Sequence, residues 1–102
     1  MNNSLGFELF MPFLTMTHHE IWMSAREELR RNGHVSSSEF KRCFENIHIR
    51  EDGDEALTLV APSDFDAIWL NDNYVSDVEK ALFSAAGREV KFRIVGPEDG
   101  EA

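Results

Sequence analysis

The chain has 102 residues, with 19 acidic against 10 basic side chains and a formal net charge of −9. That length supports one domain with a modest core, and the charge disfavours an electrostatic grip on nucleic-acid phosphates or anionic lipid, so a basic protein surface is the better-matched partner. The single cysteine, Cys43, excludes an internal disulfide and a Cys-clustered zinc site, and no uncharged apolar run reaches the roughly 18 residues of a membrane-spanning helix.

Residues 1–16, MNNSLGFELFMPFLTM, read as an apolar N-terminal extension without a clean helical or strand period. Phe7, Phe10 and Phe13 lie three apart, which suits a short helical turn, while a disordered tail is the alternative. Met16 or Met11 is the expected start. Leu5–Leu14 lacks the basic flank and small-residue cleavage site of a secretory signal and carries Glu8 and Pro12, so a cytoplasmic protein is expected.

The first helix opens on Thr17-x-x-Glu20, the spacing of a capping box, and carries Ile21, Trp22, Ala25 and Leu29 on one face. Arg26, Arg30 and Arg31 lie on another face, and Asn32-Gly33 is expected to end it. Ser36-x-x-Glu39 repeats the capping-box spacing and opens a short helix bearing Phe40, Cys43 and Phe44. Ile47 and Ile49 alternate with His48 and Arg50 in a first strand, and Asp52-Gly53-Asp54 reads as a hairpin turn into a second strand over 56–61.

Pro62 ends that strand and Ser63 can cap the helix that follows. Phe65, Ile68 and Trp69 recur at helical spacing; after an Asn71-Asp72-Asn73 break, Tyr74, Val78, Ala81, Leu82 and Ala85 continue a second stripe up to Gly87, a left-handed cap. Val90, Phe92 and Ile94 then alternate with Lys91 and Arg93 in a closing strand. The tail 96–102, GPEDGEA, has linker composition. The predicted order is α-α-β-β-α-α-β, an α+β domain over 17–95 with a three-stranded sheet covered by helices.

Nothing in this pattern carries catalysis. Ser36-Ser37-Ser38, Cys43 and His48 supply nucleophile and base types without a nucleophile elbow or a Cys-His signature, and no Walker or Gly-rich phosphate loop exists. His18-His19-Glu20 places adjacent side chains about 100° apart with no third ligand at a sensible spacing, which suits a solvated helix start better than a metal site. The reading is a non-enzyme with no cofactor, metal, small-molecule substrate or membrane partner.

The ordered set Trp22, Glu39-Phe40, Ala61-Pro62, Phe65, Trp69 and Tyr74, within LTLVAPSDFDAIWLNDNYVSDVEKAL and the later VKFRIV, resembles the N-terminal domain of the bacterial replication initiator DnaA over about residues 19–95. The resemblance implies a KH-like fold and an interaction module of replication initiation, which associates with itself or with full-length DnaA and recruits the replicative helicase DnaB. It implies that Trp22, with Ile21 beside it, lies in the self-association surface; a first-turn tryptophan is less enclosed than one at mid-helix, though core packing is the bland alternative. It also implies that Glu39 and Phe65 contact the helicase, where Glu39 can instead complete its capping box and Phe65 can equally be core.

Trp69, Tyr74, Phe40 and Leu57 are assigned to the core. Two departures stand out: Cys43 replaces an aromatic, with Phe44 following, and the apolar extension is unusual for the family. The ATPase and duplex-binding modules of a full initiator are absent from these residues. Two other readings remain. One is a weak single-stranded DNA binder using Arg26, Arg30, Arg31, Lys41 and Arg42, although the Gly-x-x-Gly clamp of true KH domains is missing. The other is a stand-alone regulator that caps a full-length initiator.

Overall fold

The computed structural model describes residues 16–50 and 55–97. The readings placed on residues 1–15, on the Asp52-Gly53-Asp54 turn and on the tail past residue 97 lie outside these. Helix α1, His18–Arg31, begins at a complete capping box: the Glu20 amide donates to Thr17 Oγ1 at 3.1 Å and the Thr17 amide to Glu20 Oε1 at 3.0 Å. Its apolar face buries Ile21, Trp22, Ala25 and Leu29. Asn32 ends it in an extended conformation while its side chain accepts the His34 amide, so Gly33 is not used as a left-handed cap.

Helix α2, Ser37–Arg42, is followed by a 3-10 turn at Phe44–Asn46 and by strand β1, His48–Arg50. Strand β2, Leu57–Val60, lies at the centre of a mixed sheet of order β1-β2-β3, antiparallel to β1 and parallel to β3, Phe92–Val95. A parallel pair needs a crossover, and helices α3, Asp64–Asn73, and α4, Val75–Ala86, supply it. The α+β order matches the expectation. As a central strand β2 is buried along its whole length, Thr58 and Val60 included.

Helices α1 and α4 form the most extensive helix pair. From α4, Val78, Ala81, Leu82, Ala85 and Ala86 join the core, and Gly87 closes the helix at φ 73° with its amide on the Phe83 carbonyl. Phe40 and Leu57 are core as expected, as is Phe44, while Trp69 and Tyr74, also assigned to the core, pack against it from partly buried positions, and so does Met16. Phe44 is fully enclosed and stacks on Phe40 with ring centroids 6.0 Å apart, so it fills space beside the small Cys43.

The helical break falls at Tyr74 rather than at Asn71-Asp72-Asn73. The amides of Asn71 and Asn73 donate to the carbonyls four residues back, Ala67 and Trp69, so both side chains reinforce the last turn of α3 instead of ending it. Asn71 Nδ2 also reaches the Ile94 carbonyl at 3.0 Å, fastening α3 to β3.

Gly96, read as the start of a linker, is buried against the first turn of α3. A Cβ at Gly96 would lie 1.7 Å from Asp64 Oδ1 and 2.9 Å from Asp64 Cα, so close backbone approach rather than an unusual φ demands glycine. Gly96→Ala is therefore expected to force β3 and α3 apart and lower the unfolding free energy by about 1–3 kcal/mol, as overpacking does. Urea denaturation checks this; an unchanged midpoint would place Gly96 outside the folded unit.

Candidate protein interaction site

Ser63 sets the register of α3. Its hydroxyl accepts the Asp66 amide at 3.0 Å and donates to Asp66 Oδ2 at 3.0 Å. Asp66 is thereby turned inward, only 7% exposed, where its Oδ1 also accepts from Arg42 Nη1 at 2.8 Å and faces the Cys43 thiol at 3.6 Å. With Asp66, Ala67 and Leu70 facing in, positions 65 and 68 must face out. Phe65 is 68% and Ile68 62% exposed.

Of the helical stripe Phe65, Ile68 and Trp69 only Trp69 is partly enclosed, and of the two alternatives left open for Phe65, core or surface, the structure places it at the surface. In this register the Asp66 carboxylate is buried with three donors that offset its desolvation, while Phe65 and Ile68 stay in water. The signal was in the sequence: Ser63-x-x-Asp66 has capping-box spacing. Beside Ile68 a shallow cleft of about 250 Å³ is lined by Asp64, Ala67, Asn71, Ile94, Val95 and Gly96.

Glu39 lies in the first turn of α2. Ser36 Oγ accepts the Glu39 amide at 3.2 Å, but the carboxylate does not return to complete the expected capping box. Its Oε1 instead accepts the Tyr74 hydroxyl, and among the described residues Oε2 has no partner. The Tyr74 ring stands edge-on to Phe44, centroids 5.5 Å apart at 76°. The hydrogen bond to Glu39, followed by burial, pushes the Tyr74 phenol up to about 12. Burial, with Asp66 nearby, likewise raises the Cys43 thiol to about 11, so this cysteine is an inert core side chain.

Trp22 and Ile21 are inside, at 2% and 0% exposure, so the expectation of a less enclosed Trp22 is not met. The cause is tertiary: α1 packs against α4 and, more weakly, against β1, and a cleft of about 340 Å³ beside it is lined by Trp22, Ile47, Met23, Arg26 and His48. Met23, 42% exposed, is the large apolar side chain that α1 shows to solvent.

The basic cluster is largely occupied internally. Arg30 pairs with Glu27 and holds its carboxyl below the usual range, Arg31 lies 3.9 Å from Glu28, and Arg42 is committed to Asp66. Arg26 donates to the Glu45 carbonyl at 3.2 Å. Lys41 has no ion pair among the described residues and lines, with Arg30, Val35, Ser37, Phe40 and Glu45, a cleft of about 420 Å³. Among the described residues no group of His, Cys, Asp and Glu is placed to hold a metal ion, and no helix is long and apolar enough to cross a membrane.

Tyr74 is the sole tyrosine, so its ionisation can be followed directly. Its pKa in the folded state, about 12, exceeds the ordinary 10, so the neutral phenol is the form that folding favours. The associated stability is fully present below pH 10 and is lost as pH rises from 10 to about 12. Near-ultraviolet titration is expected to show no tyrosinate at pH values where the urea-unfolded chain is already ionised; coincident curves would remove the Glu39–Tyr74 contact.

The fold places an exposed Phe65–Ile68 pair, an anchored Glu39 and an enclosed Trp22 on one small scaffold. Comparison with known families adds that residues 19–84 match the model of the DnaA N-terminal domain. That span takes in α1 through most of α4, and the chain belongs to the DnaA N-terminal domain family.

Proposed function

We propose that this domain is a docking module that recruits the replicative helicase and associates weakly with other initiator copies. Membership of the family implies a role in replication initiation; the docking reading is carried by the 68% exposure of Phe65, next to Ile68, on a helix whose register is fixed by Asp66. An exposed aromatic on a rigid turn loses little entropy on binding, and phenylalanine is among the residue types enriched at the core of protein interfaces. The Glu39 oxygen that has no partner among the described residues, and the net charge of −9, suit a partner surface that presents Arg or Lys. DnaB-type helicase and DnaA itself are the partners this reading names.

Self-association is assigned to the α1 side, where Ile21 and Trp22 support the helix from beneath and Met23 is offered at the surface. Weak contacts suffice when many copies are held together, because the second contact is made at a high effective concentration. The single-strand alternative has less to stand on, since three of its five cations, Arg30, Arg31 and Arg42, already face carboxylates.

Phe65→Ala is expected to weaken helicase binding by at least about thirtyfold, the loss of a hot-spot side chain of ~2 kcal/mol or more, with an unaltered melting temperature. Equal affinity for the two proteins excludes Phe65 from the contact. Trp22→Ala opens the core at a cost of about 3–5 kcal/mol and so cannot isolate self-association. Met23→Asp can: it should shift sedimentation towards monomer without changing stability, and unchanged sedimentation removes α1 from the interface.

A further inference from the structure

Glu39 is a flexible side chain on a six-residue helix, yet its carboxylate is held at one place. The holding group is Tyr74, whose backbone is itself fixed on both sides: its amide donates to the Leu70 carbonyl at 2.8 Å and its carbonyl accepts the Val78 amide at 2.9 Å. The ring is further confined by edge-on contact with the buried Phe44. Tyr74 thus stands at the junction of α3 and α4 and reaches across to α2, 35 residues away in sequence.

We propose that Tyr74 is a positioning residue for helicase docking: it fixes Glu39 through Oε1 and leaves Oε2 directed at a cationic or N–H donor of the partner. The proposal rests on the docking reading of Glu39 and Phe65. Its physical basis is preorganisation. A free glutamate samples several rotamers and loses that freedom on binding, whereas one already hydrogen-bonded has lost it on folding. Tyr74 touches no partner in this scheme; it acts through Glu39.

The test measures affinity of the 102-residue chain for purified replicative helicase of the DnaB type, with four variants: Phe65→Ala, Glu39→Ala, Tyr74→Phe and the Glu39→Ala/Tyr74→Phe double. Tyr74→Phe keeps the ring against Phe44 and removes one hydroxyl, and thermal unfolding confirms that it folds. It is expected to weaken binding about three- to tenfold, the value of ordering one side chain, and to have no effect once Glu39 is Ala, since the two act as one unit. Parental affinity in Tyr74→Phe overturns the proposal, as does an equal loss in both backgrounds, which marks a merely structural role. If Phe65→Ala and Glu39→Ala both bind as the parent does, the docking reading itself falls and takes the proposal with it; if they weaken binding and Tyr74→Phe does not, only the proposal falls.

Discussion

The arrangement of this domain depends on one buried carboxylate. Asp66 accepts from a guanidinium on α2, from the capping hydroxyl of its own helix and from the thiol that ends α2. A six-residue helix has no independent stability in water, so α2 keeps its place through Phe40 and Phe44 in the core and through this polar anchor. Because Arg42 is nearly half exposed, the pair adds little as an ion pair alone. Its weight comes from fixing register: it decides which side of α3 is core and which is surface.

That decision separates two classes of aromatic residue. Trp22, Phe40 and Phe44 are enclosed and hold helices to the sheet, whereas Phe65 is left in water at the start of α3. Tyr74 lies between the classes, its ring against the core and its hydroxyl committed to Glu39. The structure thus keeps packing and recognition on different side chains, so that a change at the surface position need not disturb the interior.

Much of the fold could be read from the chain because its signals are local. The Thr17-x-x-Glu20 box, the Pro62–Ser63 helix start, the Gly87 cap and the alternation Val90, Phe92, Ile94 each state their structure within a few residues, and each is found. The misreadings share a cause, which is competition from distant partners. Glu39 abandons its own cap for a hydroxyl 35 residues on, and Ile68 turns outward where Asp66 meets Arg42. Trp22 is enclosed where α1 packs against α4 and β1, and Gly96 is demanded by Asp64. No window of sequence contains either fact. The outward turn of Phe65 was one of two alternatives left open by the chain, and the Ser63-x-x-Asp66 spacing is the local signal that favours it.

The bridge from Asn71 to the Ile94 carbonyl has a colloidal meaning. Strand β3 is an edge of the sheet; the carbonyls of Lys91 and Val95 point to β2, so that of Ile94 points away from it. Unpaired edge groups are templates on which another chain can add a strand. By filling the outward acceptor from within its own helix, Asn71 removes one backbone group of that edge from the set on which a strand of another chain could build.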